Sequence, residues 1–412
     1  MNITYVNNTD LTGRIFNGYD LHKTLNSMGH NCNQIVIEKS SNDDTVIPLI
    51  SKDEQFIRGM LKTLERELSI NNLLYPYASV LKQNKYFINS DIAHYHILHN
   101  QVVSIPDYPT LFGLKKSVWT IHDPWLISGH CIHPIECINW ENGCGNCLRL
   151  MEEPFPMRKD NTNQMWHIKN DSYKKIDADI VVSTDFMKNY IEQSPLTSHF
   201  TKIHKIPFGI DLDKINTVDK RKAKKLLRIP TEDFVIAFRN DVNKVKGADY
   251  SIEALDRLQS DKNITVLTVG IGQPLEKLKQ KYNCIELGWQ NNADLMNLFY
   301  CASDLFLMPS LAESFGLMAI EAIAHKCPVI TFEHTVLPEI TFAPECGVAV
   351  EYKNSSALSA AINNLINNPE ERLFRGELGY KIVSIHYRYS DYVSKHIELY
   401  ENILHNNQLK EK

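Results

Sequence analysis

The strongest constraint on the fold is a short apolar strand followed by a glycine-containing loop and a helix. Residues 304–309 form a brief apolar run that ends in proline, which is the pattern of a buried parallel strand. A loop with Glu313 and Gly316 follows, and residues 317–325 then have helical spacing and carry Glu321. Strand, glycine turn and helix are how α/β proteins present a helix N-terminus to an anion. The stretch therefore predicts an anion-binding edge of a parallel sheet.

The same alternation of strands and helices runs through the chain. Strands are predicted at residues 2–6, 33–38, 91–99, 117–123, 179–183, 203–207, 234–238, 264–269, 284–287, 304–308 and 328–332. Helical spacing is found at residues 18–29, 53–87, 248–258 and 393–404. A Pro/Gly connection near residues 207–212 interrupts the alternation. The sequence thus predicts an α/β protein with two doubly wound domains, residues 1–207 and 208–392, facing each other across a cleft, and a final helix within residues 393–412.

Length and composition limit the classes of function that this chain can have. A chain of 412 residues is too long for a single core, and its net charge of −5 gives no sign of nucleic-acid binding. Apolar runs fall short of the roughly 18 residues that a membrane span needs, and the first residues read as a strand and not as a signal peptide. Nine cysteines, an odd number, argue against a secreted disulfide framework and indicate a reducing, cytoplasmic setting.

Two cations follow the predicted strand at residues 234–238. Arg239 and Lys246, at the mouth of this strand, suit a diphosphate whose charge must be offset when it departs. The alternative is a solvated surface pair, and Lys244 is a rival for the same role. Glu313 and Glu321 also allow a functional and a structural interpretation. The structural one is that glutamate near the start of a helix usually stabilises the helix dipole. Combined with the cations, they predict a nucleotide-sugar site in which the two carboxylates bind hydroxyl groups.

The segment Pro-Ser-x-x-Glu-Ser-Phe-Gly-Leu-x-x-x-Glu-Ala, which begins at Pro309, closely resembles the C-terminal signature of the retaining GT-B glycosyltransferases of family 4. Other segments are similar to family segments in both halves: residues 120–123, 206–211, 287–289, 301–304, 328–330 and 337–339. Gly13 lies where the family has a glycine-rich loop for the donor phosphate, although this chain has a single glycine there.

The resemblance implies the GT-B fold, a nucleotide-diphosphate sugar donor bound by the C-terminal domain, and a glycan or lipid-linked glycan acceptor bound by the N-terminal domain. It further implies retention at the anomeric carbon, no cofactor for catalysis, a last helix that crosses back onto the N-terminal domain, and a role in surface polysaccharide biosynthesis. The catalytic residues implied are His122, Arg239, Lys246 and Glu313. The donor-binding residues implied are Gly13, Arg239, Lys246, Trp289, Glu313, Phe315, Gly316, Leu317 and Glu321.

A loop at residues 129–148 carries Cys131, Cys137, Cys144 and Cys147. The spacing, which ends in Cys-x2-Cys, predicts a structural Zn²⁺ held by four thiolates, with reduced buried thiols as the alternative. The loop resembles the Cys-bearing loop of family members from capsule, O-antigen and exopolysaccharide pathways.

Histidines end two predicted strands of the N-terminal half. His94, His96 and His99 are interpreted as hydrogen-bonded scaffold, with metal ligation as the alternative. The resemblance implies that His122 binds the transferred sugar, whereas Asp123 either contacts the acceptor hydroxyl or caps the next turn.

Three other functions share these features: a nucleotide-sugar epimerase or phosphorylase on the same fold, a non-catalytic sugar-nucleotide or glycan-binding protein, and a zinc-organised interaction module. Lys/Arg-rich segments at 214–225 and 82–85 allow peripheral contact with an anionic membrane, with a solvated helix face as the alternative.

Overall fold

The computed structural model describes residues 1–215 and 218–408, which form two compact units. The first unit comprises Met1–Pro207 and the segment that starts at Tyr392, and the second is Phe208–Asp391. The predicted division after residue 207 falls between the two units. Residues 216 and 217 of the basic run and residues 409–412 of the last predicted helix lie outside the described residues.

The first unit is built on a parallel sheet of seven strands. They are β1 (Asn2–Thr9), β2 (Asn31–Glu38), β3 (Val46–Pro48), β4 (Ile92–Tyr95), β5 (Lys116–Thr120), β6 (Asp179–Val182) and β7 (Ile203–Lys205). Their order in the sheet is β3-β2-β1-β4-β5-β6-β7, so the direction of winding reverses between β1 and β4. Ile3 of β1 pairs with a neighbour on each side, Cys32 and Ile92. This order is that of a doubly wound sheet, in which ligands bind at the reversal point, beyond the carboxyl ends of the strands.

Helices connect these strands. They are α1 (Tyr19–Ser27), α2 (Lys52–Leu68), α3 (Ala78–Gln83), α4 (Lys85–Ile88), α5 (Tyr108–Leu114), α6 (Thr162–Tyr173) and α7 (Asp185–Gln193). A capping box of Ser51 and Glu54 starts α2, and Ser69 ends it in the left-handed region at φ 58°. The prediction of continuous helix over 53–87 is therefore wrong between α2 and α3, because the chain turns at Ser69.

The second unit has a parallel sheet of six strands. They are β8 (Phe234–Arg239), β9 (Ile264–Val269), β10 (Asn283–Glu286), β11 (Leu305–Met308), β12 (Val329–Phe332) and β13 (Val348–Val350). The order β10-β9-β8-β11-β12-β13 places the reversal point between β8 and β11. The helices are α8 (Lys220–Leu226), α9 (Ala248–Arg257), α10 (Glu276–Lys279), α11 (Ala293–Ala302), α12 (Leu317–Ala324), α13 (Leu337–Ile340), α14 (Ser355–Asn367) and α15 (Pro369–His386). The predicted fold class, two doubly wound α/β domains, is confirmed.

The predicted basic surface around α8 contains one buried member. Lys224 is 5% exposed, and its ammonium donates to the carbonyl of Asp233 and to the carboxylate of Asp304. The prediction of a uniformly exposed run is wrong at this position, because the lysine neutralises a carboxylate that caps the sheet edge at Val235.

The last helix, α16 (Tyr389–Gln408), packs its later turns on the first unit. Tyr400 is fully buried there, and its hydroxyl shares hydrogen bonds with Tyr5 of β1 (3.1 Å) and with His94 of β4 (2.7 Å). Among the described residues, no helix is both long and apolar enough to cross a membrane.

Candidate functional site

The loops after β8 and β11 meet at the reversal point of the second sheet. Leu311 donates its N–H to the carbonyl of Val245 at 2.8 Å, which joins the two loops directly. Gly247 allows this approach: it has φ 73°, and a Cβ placed there would lie 1.9 Å from the carbonyl oxygen of Pro309. The predicted cations of the β8 loop and carboxylates of the β11 segment therefore lie at one edge of one sheet.

Lys246 and Glu313 form an ion pair across these loops. The ammonium of Lys246 lies 2.8 Å from Oε1 of Glu313, which also accepts from the hydroxyl of Ser310 at 3.2 Å. Both charged side chains are mostly buried, 23% and 13% exposed. Within the described residues Lys244 takes part in no ion pair. The geometry thus gives Lys246, and not Lys244, the position that faces the β11 loop.

Arg239 ends β8 and is held by two neighbours. Its guanidinium lies 2.5 Å from a carboxylate oxygen of Asp241 and 5.6 Å from the ring centroid of Trp289. Trp289 is 59% exposed, so one face of its indole is open to a ligand. Sequence reasoning missed Asp241, although an aspartate two residues after a candidate phosphate-binding arginine is a detectable signal.

Gly316 immediately precedes α12 and has φ 100°, a conformation that favours glycine. A Cβ there would come within 2.6 Å of Cδ2 of Leu337, so the position is also crowded. No side chain caps the N-terminus of α12, which leaves its first N–H groups available to an anion. Phe315 is buried against Phe208 and Tyr387, so only its backbone can serve a ligand.

Glu321 lies one turn further along α12, after Leu317 at its start. Its carboxylate accepts a hydrogen bond of 2.7 Å from the hydroxyl of Tyr300. Burial raises the pKa of Glu321, against the hydrogen bond from Tyr300, which lowers it. Burial raises the pKa of Tyr300 well above its ordinary value, against Arg239, which lowers it. Tyr300 is a second residue that the sequence interpretation did not identify.

The reversal point of the first sheet carries a cluster of histidines. His94 is fully buried and hydrogen-bonds Tyr400 and Thr120, each at 2.7 Å. Its ring stacks on His96 at a centroid distance of 4.3 Å. The interpretation of His94 as hydrogen-bonded scaffold agrees with these contacts.

His122 follows β5, next to this stack. Its Nε2 shares a hydrogen bond of 2.9 Å with Nδ1 of His96, and the two rings are stacked 5.1 Å apart. Burial lowers the pKa of His122 to about 4, so the ring is neutral at pH 7. Gly18 makes room for the stack, because a Cβ there would lie 2.7 Å from Nε2 of His96. A neutral imidazole at a strand end can hydrogen-bond a sugar hydroxyl without introducing a charge.

Asp123 caps the turn after β5 and pairs with His99. One carboxylate oxygen accepts the N–H of Trp125 at 3.0 Å, and the other lies 3.1 Å from Nε2 of His99. Burial acts to raise the pKa of Asp123, but His99 and the turn N–H bring it down to about 2. Asp123 thus caps this turn and stays ionised, and its contact with an acceptor hydroxyl, for which a carboxylate has further acceptor positions, stays a prediction.

Lys169 orders the loop that follows Asp123, and the sequence interpretation missed it. This fully buried amino group donates to the carbonyls of Trp125 (2.7 Å) and Ser128 (2.6 Å). It also lies 3.2 Å from the centre of the Trp125 ring. Burial lowers the pKa of Lys169 well below its ordinary value. The loop backbone after Asp123 is therefore held by hydrogen bonds from a buried lysine.

Gly13 lies in the exposed turn after β1, with φ 69°. Its carbonyl accepts the N–H groups of Phe16 and Asn17 at 2.8 and 3.0 Å. Its predicted role toward a donor phosphate stays a prediction.

The four cysteines of the 129–148 loop are free thiols that interact electrostatically with one another. Burial raises the pKa of Cys144 to about 11, and its sulfur accepts the N–H of Gly129 at 3.2 Å. Among the described residues, no group of three or more His, Cys, Asp or Glu side chains is arranged to hold a metal ion. The thiols as placed do not form a ligand set, and the zinc site stays a prediction that the zinc content of the purified protein would test.

Comparison with known proteins finds a family model that matches most of the second unit. Residues 219–381 match the model of the family described as glycosyl transferases group 1. The matched residues include every predicted donor-binding residue except Gly13. Over these residues the chain is similar to the group 1 glycosyltransferases.

Two curated relatives match about half of the chain. An uncharacterized 41.2 kDa protein in the cps region of Klebsiella pneumoniae is 26% identical over 203 residues, 49% of this chain and 55% of the relative. D-inositol 3-phosphate glycosyltransferase of Segniliparus rotundus is 29% identical over 221 residues, 49% of each chain. This chain therefore spans about half of the length of the curated relatives it matches.

A solved structure extends the likeness to the whole fold. HepE of Anabaena, in complex with UDP and glucose, superposes with a TM-score of 0.68 at 14% identity, covering 97% of this chain and 99% of HepE. At this identity the likeness shows the fold alone, which is the GT-B fold of two doubly wound domains.

Proposed function

We propose that this protein is a retaining glycosyltransferase of family 4, which moves a sugar from a nucleotide-diphosphate donor to a hydroxyl group of a glycan or lipid-linked glycan. The observation that carries the proposal is the edge between β8 and β11. There two cations, an uncapped helix N-terminus and two carboxylates lie together at the reversal point of the sheet. The group 1 glycosyltransferase match over the same residues supports it.

In this proposal the second unit binds the donor. Arg239, Lys246 and the N–H groups at the start of α12 hold the diphosphate, because each presents positive charge. Glu321 accepts hydrogen bonds from the ribose, and Glu313 from hydroxyls of the sugar. The complex of HepE with UDP and glucose supports a nucleotide-sugar donor for this fold.

The reaction breaks the bond between the anomeric carbon and the diphosphate oxygen. The acceptor hydroxyl attacks from the face that the diphosphate leaves, which retains the configuration, and a diphosphate oxygen takes the hydroxyl proton. Arg239 and Lys246 stabilise the charge that develops on the leaving group. In this scheme the two side chains do the work of a catalytic divalent cation, so we expect turnover to persist in EDTA.

The first unit binds the acceptor in this proposal. Neutral His122 hydrogen-bonds the transferred sugar, and ionised Asp123 accepts a hydrogen bond from the acceptor hydroxyl. The cps-region relative supports an acceptor from surface polysaccharide biosynthesis.

A two-stage experiment tests the function. Thermal unfolding with a panel of nucleotide sugars identifies the donor, because a ligand that binds only the folded state raises the melting temperature. The protein is then incubated with that donor, labelled in the sugar, with and without glycan acceptors, and the product linkage is read by NMR. Epimer or sugar phosphate from donor alone would favour an epimerase or phosphorylase. Donor binding without turnover on any acceptor would favour a binding protein.

Contact with an anionic membrane is part of the proposal, because α2 exposes an apolar face. Five large side chains on this helix are 46–73% exposed: Phe56, Ile57, Met60, Leu64 and Leu68. The hydroxyl of Tyr77 donates to the carbonyl of Glu54 and so joins the start of α3, which carries Lys82, to α2. An exposed apolar helix face with lysines beside it suits an anionic bilayer.

Sedimentation with phosphatidylglycerol vesicles tests this contact. Phe56→Glu combined with Met60→Glu should abolish binding, whereas Phe374→Glu on α15, which removes a side chain of similar exposure (64%), should not. Unchanged vesicle binding by the double variant would refute a membrane role for α2. A wild-type protein that is a dimer, with a double variant that is a monomer, would refute it too, because the apolar face would then be a dimer interface.

A further inference from the structure

An open pocket of about 160 Å³ lies in the first unit beside α2. Its walls are the later turns of α2, the turn at residues 153–156 and the loops that follow α2 and β4. Lys62 and Arg66 line it from the helix, and Asn71 and Gln101 from the loops. None of these residues belongs to the donor site or to the histidine stack.

Asn71 carries an unsatisfied amide at this pocket. The residue is 1% exposed, and among the described residues neither its Oδ1 nor its Nδ2 has a hydrogen-bond partner. Buried amides in folded proteins are nearly always paired. An amide that is buried, unpaired and next to a pocket therefore points to a polar ligand that both donates and accepts, as a sugar hydroxyl does.

Two basic and two acidic side chains line the pocket. Lys62 and Arg66 are four residues apart on one helix face, and within the described chain neither forms an ion pair. The carboxylate of Glu65 is engaged elsewhere, since it accepts the N–H groups of Asn72, Leu73 and Leu74 at 2.6–3.1 Å. Glu153 is exposed. The lysine and arginine side chains are therefore available to an anionic group on a ligand.

The pocket adjoins the proposed acceptor residues. Its wall residue Phe155 lies 6.2 Å from His99 and 6.1 Å from Trp125, ring centroid to ring centroid. His99 in turn contacts the carboxylate of Asp123 at 3.1 Å. One aromatic ring and one imidazole thus connect the pocket to Asp123.

We infer that this pocket is an acceptor subsite for an acidic sugar unit, one that carries a carboxylate or a phosphate. Lys62 and Arg66 bind the anionic group, and the amide of Asn71 exchanges hydrogen bonds with a ring hydroxyl. Phe155 and its flanking prolines supply the apolar wall on which the carbon skeleton rests. The inference rests on the proposed glycosyltransferase function and names the acceptor class.

Two monosaccharide probes test the charge selectivity of the pocket. Methyl β-glucuronide and methyl β-glucoside differ in a carboxylate, and their dissociation constants are measured by NMR titration of the full chain. The glucuronide is expected to bind about tenfold more tightly, because charge-assisted hydrogen bonds are roughly twice as strong as neutral ones. Equal affinity for the two probes, or no binding of either, would overturn the inference.

Variants locate the binding. Lys62→Gln combined with Arg66→Gln should lower glucuronide affinity about tenfold without changing glucoside affinity, and Asn71→Leu should weaken both probes. Lys52→Gln combined with Arg58→Gln is the matched control, since it removes two positive charges from the same helix outside the pocket. An equal loss in this control would show a general charge effect and would also overturn the site.

Donor binding separates this inference from the proposed function. The melting-temperature rise with the nucleotide-sugar donor should be unchanged in the pocket variants. Transfer to an acceptor that ends in an acidic sugar should fall, whereas transfer to a neutral one should not. Loss of glucuronide binding with acidic-acceptor transfer intact would refute the subsite and leave the glycosyltransferase proposal standing. A protein that binds the glucuronide but no donor would refute the glycosyltransferase proposal and, with it, the acceptor role of the pocket.

Discussion

The reversal points of the two sheets have the same topology but opposite electrostatics. In the second unit the edge is made of charges in pairs, Lys246 with Glu313 at 2.8 Å and Arg239 with Asp241 at 2.5 Å. In the first unit it is made of stacked imidazoles, and burial lowers the pKa of both His94 and His96 well below the ordinary value. One sheet order thus supports both an ionic and a neutral site.

Under the proposed function, the difference corresponds to what each side of a glycosyl transfer needs. In that reaction the departing diphosphate is an anion, so the edge proposed to receive it must offer fixed positive charge. The attacking hydroxyl is neutral, so an uncharged imidazole beside it is enough to form a hydrogen bond with the sugar. The ion pairs also keep Lys246 and Arg239 oriented before a donor arrives, because each is held by its own carboxylate.

Lys246→Ala tests the charged edge of the second unit, and of the variants proposed it should lower turnover the most. Turnover at saturating donor should fall by about 10²-fold or more, because a cation facing the leaving group is lost. Lys244→Ala is the matched control, as it removes an exposed lysine from the same helical turn. Similar rates in the two variants would remove the special role of Lys246.

His396→Leu tests whether the buried histidines of the first unit are neutral, through the pH dependence of the unfolding free energy. His396, 1% exposed on α16, stacks on His94 at 5.8 Å, and burial lowers its pKa to about 4. As the pH falls, the unfolded chain therefore binds a proton at this histidine before the folded protein does. The contribution of His396 to the unfolding free energy is fully present above about pH 6.5 and is lost as the pH falls toward 4. This one group should contribute about 2 kcal/mol of the loss between pH 7.5 and pH 5.

Urea unfolding at these two pH values measures the effect, with tryptophan fluorescence as the signal. Four of the five tryptophans lie in the first unit, namely Trp119, Trp125, Trp140 and Trp166, so the signal reports mainly on that unit. The variant should show a smaller pH difference than the wild type. An unchanged difference would mean that His396 titrates normally.

Gly316→Ala tests the helix end in the ionic edge. Alanine at φ 100° is strained, and the unfolding free energy should fall by about 1–2 kcal/mol, with weaker donor binding. Gly29→Ala is the control, since Gly29 has φ 89° with no atom within 4 Å of the added Cβ and lies in the first unit. Equal loss of donor affinity in both variants would show that the position of Gly316 does not matter to the ligand.

Trp289→Ala should have the smallest effect. The exposed cation–π contact that positions Arg239 contributes about 0.5–1 kcal/mol, so a donor that binds Arg239 should lose affinity by about two- to fivefold at most. Isothermal titration with the donor measures this. Phe374→Ala removes another exposed aromatic side chain of the second unit and should leave the affinity unaltered.

Local patterns in the sequence predict the strand–helix alternation and the common edge of Arg239, Lys246, Glu313 and Glu321. Strand order in a doubly wound sheet follows from that alternation, and loops after neighbouring strands then meet. The strands β3 and β13 escaped prediction because each has three residues, too few to show a period. The helical pattern of α2 was visible, but which face is buried was not: Phe56 is 73% exposed whereas Glu65 is buried.

Hydrogen-bond partners that are far apart in the chain could not be identified from the sequence. His94 bonds Tyr400, which lies 306 positions away, and Lys169 bonds the carbonyl of Trp125 across 44 positions. Neither pair leaves a local spacing signal, because each depends on where helices pack. Asp241 beside Arg239 is the opposite case, a local partner that a search for flanking carboxylates would find.

The place of Tyr400 beside His94 has a consequence for biosynthesis. The first unit is assembled from two chain segments, and residues 208–391 lie between them. On the ribosome, β1 and β4 emerge before the whole of the second unit and before the helix that bonds them. The hydroxyl of Tyr5 and the ring of His94 therefore gain Tyr400 as a partner only after the second unit has been translated, and the unit that begins first is completed second.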